Sequence, residues 1–350
     1  MKKKNIILTI SAAAASVLAL FIVTEPDICG RGAAEGIILS GRVIIPSLFP
    51  FTVCVLFLMK SGALTILNFA DGFTRRIFGI TAQNFSAMLF SFIGGYPTGA
   101  KMLNESVREK KISPENAGVL LCCSVNAGPA FVILAVGSST LGSRKAGYIL
   151  LAAHIISALI LSFFLRFFIK KDNAALQSTR TRISVSDNFV SSVADAAASV
   201  MTVCAYVILF SVIGSYIDNL SGNISFLRFV SPLLEVTNGV QSICNIHAIS
   251  FLLGFAGISI WCQVISVGSL IKFNFPLFAA ARIIHGLLSS GICMLLLKIF
   301  RITLSVSAGI SFKANYGGAA LTVSMASMLI LLLISLFRKK DTGNLLNDIV

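Results

Sequence analysis

Asn126-Ala127-Gly128-Pro129 lies in the middle of an apolar segment, residues 116–138, that is long enough to cross a membrane. A proline cannot donate a backbone hydrogen bond to the carbonyl four residues earlier, and the glycine beside it loosens the turn. An interrupted helix at membrane depth is tolerated only where the freed backbone faces protein or a water-filled cavity. Two interpretations are therefore open: a proline kink in a packing helix, or a broken helix whose ends contribute to a binding site.

The composition places the whole chain in the membrane class. Of its 350 residues, 56% are hydrophobic and only 12% are charged, and the mean hydropathy is +0.90. Soluble proteins carry roughly 25% charged residues because their surface faces water. The formal charge of +14 is spread over loops between apolar segments, which favours membrane topology over nucleic-acid binding.

Apolar segments of about 20 residues predict the transmembrane helices. Eight such spans occur: 5–23, 37–59, 116–138, 146–169, 189–217, 246–268, 276–299 and 316–337. Two further apolar segments, 85–96 and 224–236, are too short to cross. We expect them to form re-entrant hairpins, which enter the membrane and return to the same face.

The basic residues predict the orientation. Most Lys and Arg fall on the cytoplasmic side if the amino terminus lies inside. A signal peptide is the alternative for the first span, but no small-residue cleavage site precedes Thr24-Glu25-Pro26. Both termini are therefore predicted to be cytoplasmic.

The two halves of the chain share an order of elements that predicts an inverted repeat. Thr52-Val53-Cys54 recurs as Thr202-Val203-Cys204, and residues 151–160 parallel residues 279–288. In each half a long span precedes a short hairpin, a glycine-interrupted span and a second long span. Because each unit crosses three times, the second copy would enter from the opposite face. A chance similarity between hydrophobic sequences is the alternative.

These features predict an all-α polytopic membrane protein with about eight transmembrane helices, two re-entrant hairpins and two inverted-topology repeats with broken helices. The predicted organisation is an N-terminal transmembrane helix and extracellular loop (1–34), a first repeat (35–170), a cytoplasmic linker (171–188), a second, inverted repeat (189–300), and a C-terminal transmembrane helix with a cytoplasmic tail (301–350).

Four polar stretches interrupt the apolar pattern, two in each half, and are predicted to bind a substrate. They contain the candidate residues Gly94, Gly95, Tyr96, Pro97, Thr98, Gly99, Lys101, Asn126, Gly128, Pro129, Glu235, Thr237, Asn238, Gly239, Gly254, Gly257, Ser259 and Gln263. The first stretch is not a nucleotide-binding P-loop, because Ala100 separates the last glycine from the lysine and Met102 follows.

Glu235 is the sharpest candidate, since an acid near the membrane interior is expensive and usually functional. It would bind a cation, relay a proton or accept a hydrogen bond from a solute hydroxyl; a surface carboxylate paired with Arg228 is the alternative. Lys101 would supply charge selectivity or anchor at the interface. Uncharged hydrogen bonds to a polar solute would come from Thr98, Asn126, Thr237, Asn238, Ser259 and Gln263.

No arrangement of side chains indicates metal binding or catalysis. The sequence has no Cys-x-x-Cys motif, no metal-ligand spacing and no evident nucleophile–base pair. Interhelical hydrogen bonding is expected of His154, His247 and His285, and Arg42 and Arg282 are expected to snorkel or to pair within the bundle. We therefore expect no cofactor, no metal and no enzymatic activity.

The same polar stretches resemble the YlbJ-type sporulation integral membrane proteins, which carry the nucleoside-recognition or Gate domain. The resemblance covers roughly residues 35–300 and departs at Ala256, where a third glycine is expected, and at Trp261, where a polar residue is expected. It implies a multi-pass protein of the cell membrane of endospore-forming bacteria, in the mother-cell or forespore membrane, that is needed for the spore cortex. Its Gate units would be similar to those of spore maturation proteins, concentrative nucleoside transporters and ferrous-iron transporters.

Two functions follow from these observations. The first is a permease for a polar solute, nucleoside-like or a cortex precursor, with Na⁺ or H⁺ as a coupling ion. The second is a non-transporting assembly factor that recruits the cortex machinery through the basic loops 101–111 and 170–182. The expected partners are the lipid bilayer, the solute, and a second copy or other sporulation membrane proteins, but no nucleic acid.

Overall fold

Helices account for nearly all of the residues that the computed structural model describes, namely 2–170, 184–221, 227–243 and 245–301, and no β-strand occurs in these segments. The α-helices are α1 (Lys2–Thr24), α2 (Pro26–Leu39), α3 (Ile45–Lys60), α4 (Asp71–Phe78), α5 (Ala82–Gly94), α6 (Thr98–Arg108), α7 (Pro114–Leu121), α8 (Arg144–Leu165), α9 (Val185–Ser221), α10 (Leu227–Leu234), α11 (Val236–Ser242), α12 (Ile246–Phe255), α13 (Gly257–Val267) and α14 (Phe275–Ile299). Two π-helices, Ser40–Ile44 and Ala130–Thr140, and two 3₁₀-helices, Ala63–Ala70 and Arg166–Phe168, complete the described elements.

Five helical segments in the described part of the chain are long and apolar enough to cross a membrane: Pro26–Lys60, Arg144–Phe168, Val185–Leu220, Ile246–Val267 and Phe275–Ile299. They correspond to the predicted spans 37–59, 146–169, 189–217, 246–268 and 276–299. A bent pair, Ala63–Phe78 and Ala82–Gly94 with 85° between its members, is a sixth candidate. The prediction of an all-α polytopic membrane protein is confirmed.

The three remaining predicted spans agree with the structure to different degrees. The span 5–23 corresponds to α1. The span 116–138 is not one helix, because α7 and the π-helix Ala130–Thr140 divide it. The span 316–337 lies outside the described residues, as do the C-terminal tail and most of the predicted linker 171–188.

The predicted extracellular loop that ends at residue 34 is wrong, because α2 begins at Pro26 and leads through a π-helical turn into α3. Proline is well tolerated in the first turn of a helix, where its missing N–H has no intrahelical partner to lose. Gly32 lets α2 approach α9 closely, since a Cβ there would lie 2.6 Å from the Ser215 hydroxyl. The Gly- and Pro-containing sequence is thus a packing helix rather than a loop.

The two halves follow the same order of elements. In the first half α3 is followed by the α5–α6 hairpin, by α7 and its π-helical continuation, and by α8. In the second half α9 is followed by the α10–α11 hairpin, by α12 and α13, and by α14. Each unit therefore contains one hairpin and one divided span, as the repeat predicts.

The two copies run in opposite directions. The Lys272 N–H, just after α13, donates to the Pro114 carbonyl at 3.1 Å, and the Lys272 ammonium lies 3.1 Å from the Glu115 carboxylate. The Leu270 N–H donates to Asn104 Oδ1 at 2.9 Å. The divided span of the first half therefore begins at the face where that of the second half ends, which is the geometry of an inverted repeat.

Two further contacts fix helix ends to neighbouring elements. The Lys60 ammonium, at the end of α3, lies 2.5 Å from the Asp195 carboxylate on α9, and both side chains are largely buried. Asn116 exchanges two hydrogen bonds with the backbone of Lys170, at 2.8 and 2.9 Å. The end of α3 is thus fixed to α9, and the segment after α8 is fixed to the start of α7.

Candidate binding site at the helix breaks

The first broken span is non-helical from Cys122 to Gly128. This confirms the predicted interruption around Gly128 and Pro129. Gly128 packs against the tip of the first hairpin, since a Cβ on Gly95 would lie 3.1 Å from the Gly128 nitrogen. The unwound backbone therefore faces protein, as membrane depth requires.

Side chains from other helices hold this first break. Asn126 donates through Nδ2 to the Ser91 hydroxyl at 2.7 Å and to the Cys123 carbonyl at 2.9 Å. The Ala127 N–H donates to Nε2 of His154 at 3.1 Å. His154 of α8 therefore accepts from a backbone N–H that has no helical partner, and Ser91 of α5 fixes the side chain of Asn126.

The second break is one residue long. Ala256 adopts a left-handed conformation with φ of 72°, Gly257 follows with φ of 67°, and α13 begins there. The predicted unwinding over 254–259 is thus correct in place but too long. Gly257 packs against the tip of the second hairpin, since a Cβ there would lie 3.1 Å from the Val236 nitrogen.

The last four carbonyls of α12 each have a donor, although the break deprives the last three of their helical partners. The donor–acceptor pairs are Ala256 N–H to Leu252 O (2.8 Å), Tyr96 hydroxyl to Leu253 O (2.7 Å), Arg282 Nη1 to Gly254 O (3.4 Å) and Trp261 Nε1 to Phe255 O (2.8 Å). Trp261, one of the two departures from the resembling family, therefore closes its own helix break. Tyr96 connects the first hairpin to the second broken span.

Arg282 of α14 is fully buried and donates to main-chain carbonyls of both broken spans. Besides Gly254 it donates through Nη1 to the Val125 carbonyl at 2.6 Å and through Nη2 to the Cys122 carbonyl. Of the two alternatives expected for Arg282, snorkelling is wrong and pairing within the bundle is correct, with backbone oxygens as its partners. Its charge meets the carboxyl-terminal ends of α7 and α12, which carry partial negative charge.

Helices α8 and α14, the last helix of each repeat, contact each other through two histidines. The rings of His154 and His285 lie 4.5 Å apart, and His285 Nε2 lies 3.1 Å from the His154 carbonyl. Both side chains are fully buried. The predicted interhelical hydrogen bonding is confirmed for this pair.

Both hairpin tips and both broken spans border one cavity of about 180 Å³. Seven predicted binding residues line it: Gly94, Gly95, Tyr96, Gly128, Glu235, Thr237 and Gln263. The remaining wall is mostly apolar and includes Leu48 and Phe51 of α3 and Val203 and Val207 of α9. These last residues carry no signal in the sequence, because one apolar helix face looks like another.

The other predicted residues are not part of the cavity wall: Pro97, Thr98, Gly99, Lys101, Asn126, Pro129, Gly239, Gly254, Gly257 and Ser259. Several of them support it. Ser259 accepts a hydrogen bond from the lining residue Gln263 at 3.2 Å, and Gly239 packs against Pro232 within the second hairpin. Lys101 pairs with Glu105 at 3.7 Å. The side chain of Asn238 lies outside the described part of the structure.

Sequence reasoning did not assign Arg282, Trp261 or Ser91 to the site. Arg282 does carry a signal, since an arginine in the middle of an apolar span is rare and usually faces the bundle interior. Trp261 and Ser91 carry none, because an indole and a hydroxyl are common in membrane helices and only the fold shows which groups they bind.

Comparison with known proteins finds one relative by sequence. The chain is similar to the sporulation integral membrane protein YlbJ of Bacillus subtilis (strain 168), with 23% identity and with 79% of each chain covered. The resemblance of the chain to the YlbJ-type proteins is thereby confirmed as a distant one. No family model matches the chain, and no solved structure matches it.

Proposed function

We propose that this multi-pass membrane protein is a permease that binds a small polar solute in the cavity between its helix breaks, and that it acts in endospore formation. The supporting observation is the cavity itself, which both inverted repeats build from their hairpin tips and broken spans. Carriers with inverted repeats place their substrate site at such a junction. The sporulation role is suggested by the similarity to a sporulation integral membrane protein.

The chemistry of the cavity favours a solute with hydrogen-bond donors. Glu235 is 3% exposed and lies between α10 and α11, where the chain turns at the hairpin tip. A carboxylate accepts hydrogen bonds from hydroxyl or amino groups and attracts cations. Thr237 and Gln263 add uncharged polar groups to an otherwise apolar wall, which is the usual composition of a small-molecule site.

The size of the cavity limits the size of the solute that this conformation can hold. Its volume of about 180 Å³ compares with roughly 150 Å³ for an engineered cavity that binds benzene. One ring, such as a base or a sugar, fits this volume. A complete nucleoside requires the walls to move apart, as a carrier does when it opens to one face.

We further propose that the face bearing Lys60, Pro114 and Lys272 is cytoplasmic, with both termini on that side, in the mother-cell or forespore membrane. This follows from the bias of Lys and Arg toward the segments that meet there.

The alternative function, a non-transporting assembly factor, receives less support. Its first recruiting loop, 101–111, is partly helix α6, and three of its four basic residues, Lys101, Arg108 and Lys111, pair with acids of the same segment. Arg108 lies 2.6 Å from the Glu105 carboxylate and Lys111 lies 2.5 Å from that of Glu109. The second loop, 170–182, lies almost entirely outside the described residues.

Flux measurements in liposomes test the permease. Purified protein is first screened by thermal shift against nucleobases, nucleosides, amino sugars, small peptides and divalent metals, since a ligand that binds the folded form raises its melting temperature. The solute with the largest shift is then followed into proteoliposomes. We expect Glu235→Gln to lower the flux at least tenfold, and Glu115→Gln, an exposed acid away from the cavity, to leave it unchanged. Wild-type flux through folded Glu235→Gln would contradict the proposal.

A further inference from the structure

Arg282 is a buried cation whose hydrogen-bond acceptors, in the described part of the chain, are all main-chain oxygens. Its side chain is fully inaccessible, and no carboxylate lies within ion-pair distance of it among the described residues. A cation buried in this way is costly unless fixed dipoles replace its hydration. The dipoles here are the carbonyls of Cys122, Val125 and Gly254, with the ring of Phe278 5.7 Å from the guanidinium carbon.

The three carbonyls come from both repeats and from the same kind of place in each. Cys122 and Val125 follow the carboxyl-terminal end of α7, and Gly254 lies in the last turn of α12. The two half-helices reach this point from opposite faces, so two partial negative charges converge on one position. In carriers with broken helices, unwound carbonyls and half-helix carboxyl termini of this kind coordinate the coupling cation.

We infer that Arg282 is a tethered cation that occupies this carbonyl site in place of a free Na⁺ ion. The guanidinium does permanently what an alkali ion does transiently: it neutralises the converging carbonyls and holds the two broken spans together. It follows, on the basis of the proposed permease function, that solute binding in the cavity does not require Na⁺.

The test measures melting temperature in four chloride salts of equal ionic strength: sodium, potassium, lithium and choline. The wild-type protein melts at the same temperature in all four, because its cation is covalently attached. Arg282→Ala melts lower in choline chloride and regains about 5 °C or more in at least one alkali chloride, as expected for an ion well above its dissociation constant. Arg282→Lys keeps a tethered charge and shows no salt-specific shift.

The control is Arg42→Ala, which removes an exposed arginine from the π-helical turn Ser40–Ile44 and leaves the melting temperature equal in all salts. Three outcomes overturn the inference: Arg282→Ala that is as stable as wild type in choline chloride, Arg282→Ala that melts equally in all four salts, and Arg282→Ala that does not fold in any of them. Wild-type protein stabilised by Na⁺ over choline also overturns it.

The experiment contains no solute, so its result is separate from the proposed function. If alkali ions stabilise Arg282→Ala but wild-type protein gives no flux in liposomes, the permease proposal is contradicted and the inference about Arg282 stands. If flux depends on Glu235 but alkali ions do not stabilise Arg282→Ala, the permease proposal stands and the inference about Arg282 is contradicted.

Discussion

In the first half of the chain the backbone stays non-helical from Cys122 to Gly128, whereas in the second half a single residue, Ala256, interrupts the helix. The long break is satisfied by side chains of α5, α8 and α14, which come from both halves of the chain. The short break is closed by a residue five positions further on, Trp261, and by two distant side chains, Tyr96 and Arg282. Both breaks therefore depend on distant parts of the fold, and the short one has a nearby donor as well.

The largest loss of stability is expected from a substitution where the first hairpin packs against the long break. A Cβ on Gly99 would overlap the carbonyl oxygen of Ser124, and backbone on both sides leaves little room for adjustment. We expect Gly99→Ala to lower the free energy of unfolding by about 3 kcal/mol, the upper range for overpacking. Chemical denaturation in detergent measures it.

Gly30→Ala is the matched control, because nothing lies within 4 Å of a Cβ at that helical position. It should be neutral or stabilising by up to ~1 kcal/mol. Equal stability of the two variants would show that the hairpin does not rest on the break.

Asn126→Ala tests the distant dependence of the long break. The change removes hydrogen bonds to Ser91 and Cys123 in a fully buried position. The expected loss is about 2 kcal/mol, from two hydrogen bonds at roughly 1 kcal/mol each. Asn68→Ala, at an exposed position, should change the unfolding free energy by less than ~0.5 kcal/mol.

Trp261→Phe tests the short break in the same assay. It keeps an aromatic ring but removes the hydrogen bond to the Phe255 carbonyl, for an expected loss of about 1 kcal/mol. A loss larger than that of Asn126→Ala would reverse the comparison, because the short break would then depend more on its side chain than the long one.

Ala256→Gly should give the smallest change and one of opposite sign. A left-handed conformation costs a non-glycine residue roughly 1–2 kcal/mol, so removing the Cβ at φ of 72° should stabilise the fold by about 0.5–1 kcal/mol. The same substitution in the long break, Ala127→Gly, should destabilise it by about 1 kcal/mol, since a buried methyl is lost. Destabilisation by both changes would mean that Ala256 is not strained.

The same contrast explains what the sequence could predict. Gly128-Pro129 predicts the long break because a proline interrupts the helical hydrogen bonds of its own turn. The order of spans and hairpins follows from the length and hydrophobicity of the segments. The extent of the second break did not follow, because Gly254 stays in α12, Gly257 already begins α13, and the strain falls on Ala256 between them. Glycine content alone does not distinguish a flexible break from a close helix contact, and that is also why α2 is wrongly predicted as a loop.

The candidate site was predictable only in part. Tyr96, Glu235 and Gln263 are polar residues in apolar surroundings, and the structure brings them to one cavity. The role of Arg282 was not predictable from the sequence. Its place in an apolar span indicates that it faces inward, but does not indicate that carbonyls of both broken spans converge on its side chain. Such convergence is a property of the assembled repeats and of neither half alone.

The central claim is that the two breaks and two hairpin tips enclose a cavity that water reaches from outside the bilayer. Thiol labelling tests it most directly, with Thr237→Cys on the cavity wall and Leu287→Cys on the exposed side of α14, each in a variant whose eight cysteines are replaced by serine or alanine. In intact proteoliposomes a membrane-impermeant, charged thiol reagent should modify the cysteine at 237 at least tenfold faster than that at 287, and bound solute should slow this reaction. Equal and negligible labelling at both positions would contradict the account, because the cavity would then be closed to water and no solute would pass through it.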